Sequence, residues 1–317
     1  MKTPTKSVIS QFNPDKVAFG RHETFALRYS WLTKGLHALK KDPKLFDSDD
    51  AVVTLGVGKN MVAAIRYWLR ACQLITPSKP DEITDIGRML FDINEGLDPY
   101  LEDEATIWLI HWLLATNTEL ATAWYWFFNK YHKPEFTGQE LHTALGDFVK
   151  ERVIDKRRPS ASTLKNDALL IPRMYTQSKG NTRTPLEEAL DSPLALLGLV
   201  NQSAGGRAFY SKPSARPGLP LGIFGFAVSQ MMEVRNLTAI PIEELMYSRN
   251  DFVSPGSVFR LTETDLITKL ELMVAYKPGG FEIRETAGIH QLYRIKNINP
   301  MSYVKKHYAD TEKGIAA

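Results

Sequence analysis

The chain has 317 residues, 44% of them hydrophobic, enough for one large core or for two or three smaller ones. A formal net charge of +3 does not by itself point to nucleic acid, and the lone cysteine, Cys72, excludes an internal disulfide framework and favours a reducing compartment. The start Met1-Lys2-Thr3-Pro4 lacks an apolar signal run, and no stretch reaches the roughly 18 apolar residues of a membrane helix, so a cytoplasmic protein with no membrane partner is expected.

Charge is unevenly placed. Residues 1–80 carry thirteen Lys and Arg against six Asp and Glu, a net +7. Residues 81–120 carry one against ten, a net −9, and residues 121–183 return to +5. A basic head before an acidic block suits an anionic partner for the head, although solvated faces also vary in charge.

Taken in order, residues 1–20 are polar and irregular. Thr24–Leu39 reads as a helix from Phe25, Leu27, Trp31, Leu32 and Leu36, and Lys41-Asp42-Pro43 ends it. Asp49–Leu55 and Gly58–Gln73 read as two further helices, and Glu82–Phe91 as a helix or hairpin edge. Asp103–Tyr131 is helical and dense in Trp and Phe; a packed core explains Trp108, Trp112, Trp124, Trp126, Phe127 and Phe128 better than a base-stacking platform does. Thr137–Val153 and Ser160–Tyr175 are helices, with the basic turn Lys156-Arg157-Arg158-Pro159 separating them. Residues 176–192 and 201–220 are rich in Gly, Pro, Ser, Thr and Asn and read as loops. Helices then follow at Leu221–Val234, Pro241–Tyr247 and Ser257–Ala275, and two strands at Phe281–Thr286 and Gln291–Ile295 joined by Ala287-Gly288-Ile289-His290. Three helices and a hairpin is a winged-helix layout. The expected fold class is mainly α (α+β), with winged helix-turn-helix units flanking a helical middle region. The expected domains are 1–95 (DNA-binding), 96–183 (helical) and 184–317 (winged-helix-like).

The most informative segment is Leu55-Gly56-Val57-Gly58-Lys59-Asn60-Met61-Val62. A phosphate-binding loop needs G-x-x-x-x-G-K-[ST]; here the glycines are too close and Asn60 replaces the hydroxyl, so no nucleotide cofactor is expected. A helix-turn-helix fits better. Gly56 can end the first helix in the left-handed conformation, and Val57 can tuck the turn onto the core. In the second helix Val62, Ile65, Leu69 and Cys72 recur at three and four. The opposite side carries Lys59, Ala63, Arg66 and Arg70, and Asn60 stands at the helix start. Lys and Arg suit phosphates or guanine, and Asn suits adenine. A solvated basic face is the plainer alternative.

The strings Phe19-Gly20-Arg21-His22-Glu23-Thr24-Phe25-Ala26-Leu27-Arg28, Leu55–Val62 and Ile65-Arg66-Tyr67-Trp68 resemble an uncharacterised-domain family of bacterial defence operons, the SspB-type components of single-stranded DNA phosphorothioation systems. Weaker echoes lie at Ser192-Pro193-Leu194, Pro255–Phe259 and Glu285–Gly288. The resemblance implies a DNA-binding protein that works with a cysteine desulfurase, an ATPase and an ATP pyrophosphatase to place sulfur in the DNA backbone. It also implies strand nicking; a non-catalytic DNA adaptor that recruits the sulfur-transfer enzymes is the alternative.

Phosphodiester cutting calls for carboxylate-held metal or a general base. Nothing matches an H-N-H, G-I-Y or P-D…D/E-x-K pattern, and the acids at 98–104 suit the start of a helix. The remaining pair is His22 as base or ligand and Glu23 as a carboxylate for Mg²⁺ or Mn²⁺, with Arg28 and Lys34 available to DNA. The same pair could instead cap a helix starting near Thr24.

Overall fold

The computed structural model describes residues 9–177, 192–286 and 289–314. Helices dominate, and two three-stranded antiparallel sheets accompany them. The described residues divide into two compact units. One comprises Asn13–Trp126 and Lys133–Lys212; the other takes in residues 9–12, Phe127–His132 and 213–314.

In the first unit, α1 (Trp31–Lys41), α2 (Ala51–Leu55) and α3 (Lys59–Ala71) pack through the apolar faces that their spacing foreshadows. Trp31, Leu32, Leu36 and Leu39 of α1 and Val62, Ile65, Trp68 and Leu69 of α3 are all buried. At roughly 1.5–3 kcal/mol per buried large apolar side chain, that interface dominates the local energetics. Gly35 permits the close approach: a Cβ there would lie 2.8 Å from Ile65 and 2.9 Å from Leu69. Gly56 ends α2 with φ +57°, and Val57 N–H returns to the Val52 carbonyl at 3.2 Å, so the turn expected between α2 and α3 is present. After α3 the chain makes an antiparallel bridge, Ile75 to Ile83, flanked by Thr76 N–H to Glu82 O at 2.8 Å and Thr84 N–H to Leu74 O at 3.0 Å. Thr84 then caps α4 (Asp85–Phe91).

The start of α1 departs from expectation. Residues 24–30 are not helical: Glu23 and Thr24 have φ of +50° and +64°, and the Phe25 N–H closes a turn on the His22 carbonyl. His22 and Glu23 therefore do not cap a helix, because α1 begins only at Trp31.

The aromatic run forms α5 (Glu104–Ala115) and α6 (Thr122–Asn129). Every residue from Ala105 to Ala115 is buried, and Trp108, Trp112, Trp124, Trp126, Phe127 and Phe128 are at most 3% exposed. They are core, not a stacking platform. A Thr137–Glu140 capping box opens α7 (Gly138–Arg152), and Ser160 caps α8 (Ala161–Tyr175). A small sheet has the order β1 (Glu135–Phe136), β3 (Phe209–Tyr210), β2 (Asn201–Gln202), so the region read as loop holds two short strands.

The second unit contains α9 (Leu221–Val234), β4 (Ala239–Pro241), α10 (Ile242–Met246), α11 (Pro255–Val258), α12 (Glu263–Tyr276), β5 (Phe281–Thr286), β6 (Ile289–Arg294) and α13 (Met301–Glu312). Its sheet runs β4-β6-β5, with Ile240 opposite Leu292 and Ile283 opposite Leu292 on the other side. Of the expected β5–β6 turn, Ala287 and Gly288 fall outside the described residues, and Ile289 and His290 belong to β6. The helix expected over Ser257–Ala275 is broken. Arg260 takes a left-handed φ of +52° and sends its guanidinium to the carbonyls of Phe127, Phe128 and Tyr131 at 2.7–3.2 Å, and Thr262 starts α12 afresh. Neither β4 nor α13 was expected. A Cβ on Gly225 would sit 2.4 Å from the Tyr303 ring, so glycine in α9 is what lets α13 pack so closely.

Among the described residues no helix is long and apolar enough to cross a membrane.

Candidate nucleic-acid interface

Beside α3 the first unit has an open groove of about 670 Å³. Lys59, Val62, Ala63, Arg66, Tyr67 and Arg70 of α3 line one side. Asp15 to Ala18, Arg21, Phe46 to Asp49, Ala51, Val52, Glu119, Leu120 and Arg157 complete it. Three of the expected DNA-contacting residues, Lys59, Arg66 and Arg70, thus share one concavity. Asn60 is exposed on the first turn of α3 but does not line the groove. Neither do Arg28 and Lys34. The Arg28 guanidinium stands 5.4 Å from the centre of the Trp31 ring, and the Lys34 ammonium lies 3.8 Å from where a Gly56 Cβ would be.

The basic stripe of α3 is not uniformly available. Asp81, with its side chain 2% exposed, receives Arg70 Nε at 2.8 Å and lies 2.6 Å from Arg70 Nη2 and 2.7 Å from Arg66 Nη2. Arg66 Nη1 donates to the Phe46 carbonyl at 3.2 Å and to Asp47 at 3.0 Å. Asp81 is the buried member and the arginines are partly exposed, so breaking these pairs costs about 2 kcal/mol, less than for a fully buried pair. Arg66 and Arg70 are held by the protein itself. Lys16 pairs with Glu119 at 3.5 Å, and Asp15 with Lys156 at 3.8 Å. Arg21, Lys59 and Arg157 are exposed and make no ion pair among the described residues; Asp49 is the comparable free carboxylate. Sequence reasoning did not select Lys16, Arg21, Tyr67 or Arg157. The signals were present in Arg21 before the His-Glu pair and in the Lys156-Arg157-Arg158 turn, but nothing in the sequence says which elements meet.

His22 has a different setting. It is fully buried, with its ring stacked near-parallel to Trp68 at 6.1 Å between centroids and edge-on to Trp124 at 5.9 Å and Tyr67 at 6.1 Å. The Thr24 N–H donates to His22 Nδ1 at 3.0 Å, so the ring proton resides on Nε2, which donates to Asp167 Oδ1 at 2.7 Å. Asp167 also accepts the Gly20 N–H at 3.0 and 3.2 Å. Burial pushes the Asp167 carboxyl above its ordinary value, partly offset by the hydrogen bond from His22. Glu23, the next residue, is exposed on the left-handed turn. Burial likewise drives the Cys72 thiol far above the usual range, which leaves it a packing group, not a nucleophile.

Among the described residues no three His, Cys, Asp or Glu side chains gather as a metal site. His22 is committed through both ring nitrogens, so Glu23 would bring a single carboxylate, and the donor set at this pair does not fit a resident divalent cation.

The sequence matches the family described as "Protein of unknown function (DUF4007)" over residues 19–308. Two crystal structures are similar to it: an SspB crystal structure and a magnesium ion-bound SspB crystal structure. Each has a TM-score of 0.79 and 28% identity, and each comparison covers 98% of this chain and 91% of the other. No curated protein matches the chain.

Proposed function

The chain belongs to the DUF4007 family, and on that premise we propose that it is a DNA-binding component of a phosphorothioation-based DNA modification system. The observation that carries the reading is the groove beside α3, where exposed cations from separate segments stand next to a helix-turn-helix pair. The SspB-like fold over nearly the whole chain supports the assignment to that system. On this reading α1–α3 with the Ile75–Ile83 bridge form the N-terminal winged-helix-like unit of 1–95. The helices α5 to α8 form the helical middle expected within 96–183. The α9-β4-α10-α12-β5-β6 order forms the second winged-helix-like unit within 184–317. DNA is the direct partner; a cysteine desulfurase, an ATPase and an ATP pyrophosphatase complete the system.

The resemblance further implies strand nicking that opens the backbone for sulfur insertion. A second reading, the non-catalytic adaptor, is favoured by one observation: the ring of His22 is sealed between Trp68, Trp124 and Asp167 and reaches no solvent. In this reading His22 ties the Gly20–Thr24 loop to α8, and Glu23 is a surface residue of that loop. The magnesium of the SspB neighbour then has no matching ligand set at this pair.

Two measurements test the proposal. Purified protein should shift a labelled DNA in a gel or anisotropy titration, and failure to bind duplex or single-stranded DNA at low salt would overturn it. A supercoiled-plasmid assay with Mg²⁺, Mn²⁺ or chelator separates the two readings: open-circular product points to the nickase, and intact plasmid under saturating protein points to the adaptor.

A further inference from the structure

We infer that the phosphodiester backbone is gripped by Arg21, Lys59 and Arg157, and that Arg66 and Arg70, the more conspicuous cations of the same helix, serve as struts. The inference rests on the DNA-binding reading and deepens it.

The argument is one of availability. A phosphate gains from a cation in proportion to what that cation gives up to meet it, and a cation already neutralised inside the protein releases no counterion from DNA. Arg66 donates Nη1 to Asp47 and the Phe46 carbonyl and holds Nη2 at 2.7 Å from Asp81, an ion pair. Arg70 turns Nε and Nη2 onto Asp81. Their common acceptor is buried, so a phosphate could recruit either arginine only by leaving a desolvated carboxylate with one cation in place of two. Arg21, Lys59 and Arg157 carry no such debt. All three are exposed, all line the same groove, and they come from three segments: the loop before α1, the first turn of α3 and the turn before α8. Lys59 also stands at the α3 N-terminus, whose partial positive charge adds to the attraction. Among the described residues Asp49 is the one carboxylate lining the groove that makes no ion pair, and it leaves the unpaired balance positive.

The two struts have a positioning role. By fastening the C-terminal half of α3 to Asp81 and to the Phe46–Asp47 turn, they fix the helix from which Lys59 projects.

The test is a salt series of binding to a short fluorescein-labelled duplex and to its single strand. The proteins are wild type, the groove triple variant R21A/K59A/R157A, and a charge-matched control, K296A/K305A/K313A, that removes three exposed lysines of the second unit. Each phosphate contact adds about 0.7–0.9 to the salt slope. The groove variant should therefore lose about 2–3 units of slope and on the order of tenfold or more in affinity at low salt. Its melting temperature should be unchanged, and the control should keep the wild-type slope. Arg66→Met should lower the melting temperature and keep the slope of the remaining folded protein. A wild-type slope in the groove variant, or equal losses in the groove variant and the control, would overturn the assignment while leaving DNA binding intact. Absence of binding by the wild type would overturn the DNA-binding reading and this inference with it.

Discussion

Arg21 and His22 are neighbours in the chain and belong to opposite worlds. Arg21 stands exposed on the rim of a groove. His22 is shut into a cluster with Asp167, Trp68 and Trp124. Tyr67 touches both regions: it lines the groove, its ring meets His22 edge-on, and its hydroxyl donates to the Leu120 carbonyl at 3.1 Å. The contrast separates two uses of polar residues. In the sealed cluster every hydrogen bond substitutes for lost water and is worth stability; on the rim, charge remains solvated, contributes little to folding and stays free for a partner.

Substitutions should divide the same way. The largest effect is expected in the cluster. Asp167→Ala strands the His22 Nε2–H and the Gly20 N–H, for which that carboxylate is the one acceptor among the described residues. It should cost about 3 kcal/mol and lower the melting temperature by about 10 °C, with the salt dependence of binding by the folded fraction unchanged. A drop under about 2 °C would break the distinction from that side.

Asp81→Asn comes next and tests the link. It removes the charge that restrains Arg66 and Arg70 at a buried position. Stability should fall by about 2 kcal/mol, and the salt slope should steepen by about 1 as a freed arginine becomes available to phosphate. A shallower slope would mean that Asp81 presents these arginines to DNA instead of withholding them. A single rim change, Lys59→Ala, should shift stability by less than about 0.5 kcal/mol and flatten the slope by about 1.

The smallest effect is expected at the capping box of α7. Glu140 is exposed and bonded to Thr137 and Lys133, which hold its carboxyl down from 4.5 to about 2. A depressed carboxyl stabilises the fold above its unfolded value, so this contribution is present above about pH 4.5 and disappears as pH falls through about 2. Glu140→Gln should leave a slightly shallower acid limb in a melting-temperature profile against pH and no change at neutral pH beyond loss of the cap. The variant should bind DNA as the wild type does.

The parts of this picture that were legible in sequence are the local ones. The three-and-four spacing of Val62, Ile65 and Leu69 placed α3, and Gly56 marked the turn before it. The crowding of Trp and Phe announced a core. What sequence could not supply was pairing at a distance. His22 and Asp167 are 145 positions apart, and neither their bond nor the left-handed turn at Glu23 and Thr24 beside it shows in the local pattern that suggests a helix from Thr24. The stripe of Lys59, Arg66 and Arg70 was visible as charge, but its partial neutralisation depends on a buried Asp81 that sequence shows only as the first residue of an acidic block. Two-residue strands such as β1 and β3 are too short to show alternation. Helix α13 has few apolar residues, and it is held where Tyr303 meets the bare surface of Gly225.

The central claim, that DNA lies along the groove of the first unit, is tested most directly by where DNA can be attached. Photo-crosslinking to an iodouracil-substituted oligonucleotide, followed by peptide mapping, should place the adducts on segments that line the groove: residues 15–21, α3 with Tyr67, and the turn at Arg157. Adducts confined to residues 213–314, with none on those segments, would contradict the account.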